Sequence, residues 1–339
     1  MYPTFVIAGR LRRDYLLPPA EGLSVGHPLL DVPGGDLLYA AAGLAVWERN
    51  AGLLARVGEG YPHEWLRAFE QRGLDTRGVH ILPEHLDLRF FQAYLDPLTP
   101  QRNNPVAHFA RLGLTYPKAL LGYQPPAEVQ DDRKTVQPAS PRPVDIPEDY
   151  LDASAVHLCP LDYSTHNRLI PTFRQGRTTT LTLDPSAAYM TPAAWADLRR
   201  LLQGLTAFLP SEEELRALFW GQSKDLWEMA EALAEQGCEL IVVKRGGLGQ
   251  MLYDAPGRKR WEIPAYPTDL SDPTGAGDSF CGGFLAGYRQ TYDPLRAVLY
   301  GNVSASLTIE GSGAFYALET LPGLAQARLD SLAEIVRQV

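Results

Sequence analysis

Short, mostly apolar runs alternate with helix-like stretches along most of the chain, and this alternation restricts the fold more than any other feature. The apolar runs are continuous, which is typical of strands buried on both faces of a sheet. The predicted strands are residues 5–8, 53–57, 155–158, 180–183, 207–209 and 240–243, and the predicted helices between them include residues 37–49, 63–72, 212–219 and 226–236. This order predicts βαβ units, and therefore an α/β fold with a doubly wound, mostly parallel sheet flanked by helices.

Two segments, residues 10–34 and 87–121, interrupt this order because they lack helical periodicity and contain strand-like pieces. We expect them to form a small β-sheet lid on an α/β core made of residues 1–9, 35–86 and 122–339. Within the core, residues 124–147 are rich in Pro, Gln, Asp and Arg and have no periodic apolar positions. Such a stretch buries little apolar surface on ordering, so it is predicted to be a mobile loop.

Charge and cysteine content restrict the partners. The chain has 31 Lys and Arg against 40 Asp and Glu, and its net charge of −9 argues against nucleic acid or an anionic membrane as the main partner. No apolar stretch approaches the roughly 20 residues that span a bilayer. Cys159, Cys238 and Cys281 are widely spaced, which is typical of reduced thiols in a cytoplasmic protein. We therefore expect a cytoplasmic protein with a small-molecule substrate.

Residues 271–288 read SDPTGAGDSFCGGFLAGY and predict a tight turn followed by a helix. Backbone amides at a helix start, with little side chain over them, form an anion site that the helix dipole strengthens. Asp278 places a carboxylate at the same helix start. It is either an acid that stabilises the first turn, or a base for a hydroxyl that attacks a phosphoryl group bound by the amides.

The sequence D-P-T-G-A-G-D from Asp272 to Asp278 resembles the C-terminal signature of the ribokinase-like (PfkB) carbohydrate kinases. Gly9, followed five residues later by Asp14, resembles the family's first strand and its substrate-binding aspartate. Pro33-Gly34-Gly35 before a predicted helix resembles its paired-glycine substrate motif. The resemblance covers most of the chain and is weakest between residues 99 and 147.

This resemblance implies a role for each matching residue. Asp278 would be the catalytic base, and Gly275, Ala276 and Gly277 would form the anion hole. Glu214 matches the acid of the family's N-x-x-E motif, which helps to hold Mg²⁺, usually through water. Substrate-binding positions would be Asp14, Gly34, Gly35 and Tyr39; ATP-binding positions would be Ser211, Lys244, Gly246, Asn302 and Gly311; and Asp272 and Thr274 would belong to a monovalent-cation (K⁺) site.

Two positions differ from the family pattern, because Tyr39 and Ser211 each stand where the family commonly has Asn. Tyr39 is either a stacking residue for the substrate or ordinary helix packing. Lys244 at a strand end is either a nucleotide ligand or a solvated lysine. Glu214 is either an acid that caps the first helical turn after Ser211, or the Mg²⁺ residue, and the two roles are compatible.

The resemblance implies an ATP- and Mg²⁺-dependent kinase that transfers the γ-phosphoryl group to a hydroxyl of a small sugar or sugar-like polyol. A nucleoside kinase of the same fold is one alternative, which an aromatic residue such as Tyr39 would favour. A non-catalytic relative that binds nucleotide or sugar is another, which the changes at Tyr39 and Ser211 permit. Lids in the family often pair, so the resemblance also permits a homodimer through the lid.

Overall fold

The computed structural model describes residues 3–19, 27–96, 99–125 and 130–338. These residues form a ten-stranded sheet, a separate four-stranded sheet and the helices that flank them. The strands are β1 (Phe5–Ala8), β2 (Arg12–Leu17), β3 (Leu29–Gly34), β4 (Ala51–Gly58), β5 (Leu74–Leu82), β6 (Arg89–Tyr94), β7 (Pro100–Gln101), β8 (Ala155–Leu158), β9 (Thr180–Leu183), β10 (Ala207–Phe208), β11 (Leu240–Lys244), β12 (Gln250–Asp254), β13 (Lys259–Ile263) and β14 (Arg337–Gln338). The α-helices are α1 (Asp36–Ala45), α2 (His63–Gln71), α3 (Pro105–Arg111), α4 (Tyr163–Arg174), α5 (Trp195–Leu202), α6 (Glu212–Leu218), α7 (Leu226–Ala234), α8 (Ala276–Thr291), α9 (Pro294–Thr308) and α10 (Leu324–Ala333).

The large sheet has the strand order β14-β13-β12-β11-β10-β9-β8-β1-β4-β5. The pairs from β5 through β4, β1, β8, β9 and β10 to β11 are all parallel. The pairs that add β12, β13 and β14 at the other end are antiparallel. The prediction of a mostly parallel α/β sheet is therefore confirmed, and β1, β8 and β9 have the predicted bounds.

The ends of the helices were less predictable than the ends of the strands. Helix α1 ends at Ala45, four residues before its predicted end, and the chain then turns through Asn50, which has a φ of 83°. Helix α9 is buried over nearly its whole length. A helix that is buried on most sides has no clear amphipathic stripe, so its sequence carries little periodic signal.

The second sheet has the order β3-β2-β6-β7 and is built from the two segments that interrupt the α/β alternation. We refer to this four-stranded sheet as the lid. Residues 20–26 and 97–98, which belong to the predicted lid, lie outside the described residues. Strand β2 pairs with β6 in parallel and with β3 in antiparallel fashion.

One helix lies within the lid segment that was predicted to have none. Helix α3 begins after Asn104, whose side chain accepts a hydrogen bond from the Ala107 amide, and has Pro105 at its first position. At seven residues it is too short for a clear periodic pattern. Apolar residues of the lid strands pack against α3 and the residues after it; this cluster contains Tyr15, Leu17, Phe91, Ala93, Phe109, Leu120 and Tyr123. The lid face that carries Tyr15 and Phe91 is therefore packed against α3 and the residues after it.

The segment predicted to be a mobile loop makes specific contacts to the core over residues 130–147, while residues 126–129 lie outside the described part. Arg56 on β4 donates two hydrogen bonds to Asp145, at 2.6 and 2.8 Å, and both side chains are buried. The Ser140 hydroxyl donates to Asp162 at 2.6 Å. Charged and polar partners thus contact this segment where an apolar face is missing. The mobility of residues 124–147 stays a prediction.

Among the helices of the described residues, none combines enough length with enough apolar character to cross a bilayer.

Candidate active site

The predicted site residues come from loops at the carboxyl ends of the parallel strands and from the lid. Lys244 is the last residue of β11, and Asp184 follows the last residue of β9. In open parallel α/β sheets this edge is where ligands bind, because the loops that follow the strands converge there.

The loop before α8 has the geometry of a helix start with exposed amides. Gly275 is the residue before the helix and has a φ of 77°, a conformation that favours glycine. A Cβ atom at Gly275 would lie 2.0 Å from the Cδ1 atom of Tyr39, so a side chain is excluded by contact as well. Both the Ser271 and Asp272 amides donate to the Ile309 carbonyl at the end of α9, which fixes the start of the loop.

Asp278 lies in the first turn of α8, next to the amides of this loop. Burial, and then the negative charges of Asp36 and Asp184, raise the pKa of Asp278 well above its ordinary value. A carboxylate with a raised pKa binds a proton more strongly, which suits a general base.

Asp36, which the sequence analysis did not single out, is the first residue of α1 and is buried. Its carboxylate accepts a hydrogen bond from the Arg10 amide at 2.7 Å and forms ion pairs with the guanidinium groups of Arg10 at 3.3 Å and Arg12 at 3.6 Å. The signal was present as an acid directly after two glycines, at a predicted helix start.

Asp14, Gly34 and Gly35 come together where β2 and β3 meet α1. A Cβ atom at Gly34 would lie 1.8 Å from a carboxylate oxygen of Asp14, so glycine is required for the close approach. Burial raises the pKa of Asp14 to about 7. Among the described residues, the Oδ1 atom of Asp14 has no hydrogen-bond partner although it is buried. A buried, unsatisfied acceptor is unfavourable unless a ligand supplies the donor.

Tyr39 contacts the loop before α8 and lies near Asp14, a predicted substrate-binding residue. Only 3% of the residue is exposed, and its ring packs against Gly275. After burial, the negative charges of Asp14, Asp272 and Asp278 are among the causes that raise the pKa of Tyr39. The residue is therefore a packing residue and a wall of the site at the same time.

Lys244 is not a solvated lysine. Its ammonium group forms an ion pair with Asp184, and its side chain is 13% exposed. A Cβ atom at Gly277 would lie 3.6 Å from its Nζ atom, which places the ammonium group beside the predicted anion hole. Burial works against its charge, but Asp184 raises the pKa of Lys244 above its ordinary value. Asp184 was missed at sequence level, where its signal was an acid immediately after a predicted strand.

Ser211 and Glu214 form a capping box at the start of α6. The Ser211 amide donates to Glu214 at 2.8 Å, and the Glu214 amide donates to the Ser211 hydroxyl at 3.2 Å. Burial, and then the charge of Asp184, raise the pKa of Glu214 to about 7. Because a nearby dication would stabilise this buried carboxylate as an anion, Glu214 fits a water-mediated Mg²⁺ ligand. No group of three or more His, Cys, Asp and Glu side chains suited to a metal was found within the described ranges.

Asp272 and Thr274, the predicted monovalent-cation residues, have different surroundings. The Oδ2 atom of Asp272 is buried without a hydrogen-bond partner among the described residues, which fits a cation ligand. The Thr274 hydroxyl instead contacts the lid, where Gln92 donates to it at 3.1 Å and the Tyr94 hydroxyl lies 3.1 Å away. Thr274 therefore joins the lid to the loop before α8.

The remaining predicted ATP-binding residues divide into two groups. A Cβ atom at Gly246 would meet nothing within 4 Å, so this loop borders open space, whereas one at Gly311 would lie 2.2 Å from the Tyr316 ring. Asn302 is buried, and its amide group is fully used, because it accepts from the Tyr266 amide and donates to Gln250 and the Pro264 carbonyl. Asn302 therefore supports residues 264–266, and its place in the ATP site stays a prediction.

Comparisons with known proteins agree with this geometry. The model of the pfkB family carbohydrate kinases matches residues 128–321, more than half of the chain. A cytidine kinase of Thermococcus kodakarensis is 28% identical over 288 residues, which cover 84% of this chain and 88% of the relative. An ATP-dependent ribose-1-phosphate kinase of Halopiger xanaduensis is 25% identical over 299 residues, which cover 88% of this chain and 87% of that protein. An Escherichia coli protein assigned as a ribokinase II, solved in complex with ATP and Mg²⁺, shares the fold with a TM-score of 0.69 at 18% identity, covering 98% of this chain and 99% of the other.

Proposed function

The chain belongs to the pfkB family of carbohydrate kinases, and from this membership we propose that it transfers the γ-phosphoryl group of ATP to a hydroxyl of a ribose-bearing compound. At the level of the family, the activity is that of a sugar or nucleoside kinase, a phosphotransferase with an alcohol acceptor. Two relatives that match most of the chain are named for cytidine and for ribose 1-phosphate. Both of these compounds carry a ribose ring, which supports a ribose-bearing acceptor here.

One observation carries the proposal: Asp278 and the amides of residues 275–277 share one helix start, and Asp14 has a buried, unsatisfied carboxylate oxygen. The charges of Asp14 and Asp278 both raise the pKa of the Tyr39 hydroxyl, which supports a location of both carboxylates near Tyr39. A sugar hydroxyl that donates to Asp14 would satisfy its Oδ1 atom. A second hydroxyl of the same small molecule would then lie near Asp278.

In the proposed reaction, the acceptor oxygen forms a bond to the γ-phosphorus while the bond from that phosphorus to the β–γ bridging oxygen breaks. Asp278 takes the proton of the acceptor hydroxyl, and ADP leaves with the bridging oxygen. The amides of residues 275–277 and the Lys244 ammonium group stabilise the negative charge on the transferred group. Lid residues on the substrate side exclude water, which would otherwise compete as an acceptor.

The residues also fit the ions that this activity implies. Glu214 would hold Mg²⁺ through water, and the bound ion would neutralise phosphate charge. Asp272, with its unsatisfied Oδ2 atom, would bind a monovalent cation such as K⁺.

The test is the nearly isosteric variant Asp278→Asn. Loss of a base typically lowers turnover by about 100- to 10,000-fold, and we expect binding of a non-hydrolysable ATP analogue to stay within about threefold of the parent. Asp225→Asn is the matched control, because Asp225 is also an acid at a helix start, where it caps α7. Turnover by Asp278→Asn near that of the parent would show that another group is the base.

A further inference from the structure

The segment between β13 and α8, residues 264–275, contains neither helix nor strand, and it leads into the proposed phosphate-binding loop. Contacts from α9 and from the residues after it define its course. At its beginning, Asn302 on α9 accepts a hydrogen bond from the Tyr266 amide at 2.9 Å. Near its end, the Ile309 carbonyl accepts from the amides of residues 271 and 272 at 2.8 and 3.1 Å. The segment is therefore held at both ends by α9 and the residue that follows it.

Glu310 and Arg328 provide a third attachment, in the middle of the segment. The Thr268 hydroxyl donates to a carboxylate oxygen of Glu310. Arg328 on α10 donates from its Nη2 atom to both oxygens of that carboxylate, at 2.7 and 2.8 Å. The same guanidinium lies 5.0 Å from the centroid of the Tyr266 ring, and its Nη1 atom donates to Ser306 on α9 at 2.9 Å. One guanidinium thus contacts both the Glu310 carboxylate and an aromatic ring of the segment.

Burial strengthens the ion pair between Arg328 and Glu310. The Arg328 side chain is 9% exposed and that of Glu310 is 24% exposed, so water competes little for their hydrogen bonds. Hydrogen bonds between ionised groups are stronger than neutral ones, and a planar guanidinium fixes the orientation of a carboxylate as well as its position. A lysine ammonium is a point charge and would not reproduce these planar contacts.

The position of Glu310 in the chain connects this ion pair to the proposed nucleotide site. Glu310 directly follows Ile309, whose carbonyl accepts from the Asp272 amide, and it directly precedes Gly311, a predicted ATP-binding residue. Asp272 in turn is the first residue of the motif that contains the proposed anion hole. A displacement of Glu310 would therefore move residues of two predicted binding segments.

We propose that Arg328 is a positioning residue for nucleotide binding, which acts through Glu310. Arg328 holds the Glu310 carboxylate, and that carboxylate holds Thr268. The two stretches of chain that contain the predicted ATP and cation residues are thereby kept in a fixed arrangement. This inference rests on the proposed kinase function and adds to it a determinant of ATP affinity on α10, a helix that contains no predicted site residue.

The experiment measures binding of a non-hydrolysable ATP analogue by calorimetric titration, together with ADP formation from ATP with ribose, cytidine and ribose 1-phosphate as acceptors. In Arg328→Gln we expect the Kd of the analogue to rise about tenfold, a loss of about 1.4 kcal/mol. KM for the acceptor should not change, because none of the Arg328 contacts above involves the lid. Arg328→Lys should recover only part of the affinity, since it keeps the charge but not the planar group.

Arg56→Gln is the matched control, because Arg56 is also a buried arginine that donates two hydrogen bonds to one carboxylate, that of Asp145. Loss of either arginine leaves a buried carboxylate without its partner and lowers the free energy of unfolding. Urea unfolding measures this loss in both variants. The double variant Arg328→Met/Glu310→Gln removes both charges, which should restore much of the stability, but it does not restore the link from α10 to residue 310.

The positioning role is supported if the Kd of the analogue is raised in Arg328→Gln and in the double variant, while Arg56→Gln keeps the Kd of the parent. An unchanged Kd in every variant, with only stability reduced, would overturn it and would leave the kinase assignment intact. A parent protein that binds the analogue but forms no ADP with any acceptor would instead refute the proposed kinase function, and the Kd comparison would still decide the role of Arg328.

Discussion

The hydroxyl groups of Tyr94 and Thr274 lie 3.1 Å apart and connect the lid to the loop that precedes α8. The Nε2 atom of Gln92 donates to both hydroxyls, at 2.7 Å to Tyr94 and 3.1 Å to Thr274. Two polar side chains of the lid and one of the loop therefore form a small hydrogen-bond network. Because the Thr274 amide also donates to Asp272 at 3.0 Å, the network reaches the predicted cation site as well.

We expect removal of this network to weaken lid closure. Tyr94→Phe and Thr274→Val each remove one hydroxyl, and a net hydrogen bond contributes about 1 kcal/mol, so the acceptor KM should rise about fivefold. ATP hydrolysis without acceptor should increase, because water enters the site more easily. Tyr116→Phe is the control, since that hydroxyl donates to the Leu120 carbonyl on the outer side of the lid. Unchanged KM and unchanged hydrolysis in both variants would contradict a closing role.

The Lys244–Asp184 pair supports a second prediction, on stability. Asp184→Asn leaves a largely buried ammonium group without its main partner, which should lower the free energy of unfolding by on the order of 3 kcal/mol. The double variant Asp184→Asn/Lys244→Met removes the unpaired charge and should recover most of that loss in urea unfolding. Lys244→Met, alone or in the double variant, should raise KM for ATP about tenfold, since charge-assisted contacts contribute about 1.5–3 kcal/mol.

A neighbouring ion pair provides the comparison for the Asp184 and Lys244 variants. Arg245 lies 3.1 Å from Glu212, and both side chains are more exposed than those of Lys244 and Asp184. Arg245→Gln should change stability by less than about 1 kcal/mol, as is usual for an exposed pair. If the double variant is no more stable than Asp184→Asn alone, the destabilisation does not arise from the unpaired lysine.

Asp14 predicts how stability depends on pH. Its folded pKa is raised from 3.8 to about 7, so below pH 4 the carboxyl group is protonated in both folded and unfolded states. Between pH 4 and 7 the unfolded chain loses this proton while the folded protein keeps it, and the free energy of unfolding falls as pH rises. The decrease from this group is at most about 4 kcal/mol, because one pKa unit corresponds to about 1.4 kcal/mol.

The variant Asp14→Asn removes this titration, so its free energy of unfolding should change less between pH 4 and 8 than that of the parent. Urea unfolding at several pH values measures the difference. Asp31→Asn serves as the control, because the hydrogen bond from Arg13 lowers the pKa of Asp31 and its titration falls below this window. Parallel pH profiles for the parent and Asp14→Asn would show that Asp14 is not buried as a protonated acid.

Much of the α/β core could be predicted from sequence because each buried parallel strand is a short apolar run. Strands β1 and β8 are continuous in this way and had correct bounds. Helix α3 could not be predicted, because seven residues contain too few turns for a periodic pattern. The contacts of residues 130–147 could not be predicted from sequence either, because the Arg56–Asp145 pair joins positions far apart in the chain.

The site was predictable where one short motif contains the geometry, as in the loop from Asp272 to Asp278. It was not predictable where side chains meet only through the fold. Lys244 ends β11 whereas Asp184 follows β9, and Arg12 and Arg102 both lie over the ring of Phe90 on β6. The internal contacts of Asn302 were equally hidden, because its amide group is hydrogen-bonded to Tyr266 and Gln250, which lie 36 and 52 positions away in the chain.

Tyr39 packs so closely on Gly275 that the wall of the proposed acceptor pocket and the start of the proposed phosphate-binding loop are in direct contact. A smaller residue at position 39 would widen the proposed pocket and at the same time remove the support of the loop. We therefore expect changes in substrate range and changes in catalytic rate to be coupled at this position. In directed evolution toward new acceptors, variants at position 39 should need a compensating change around the loop before they regain speed.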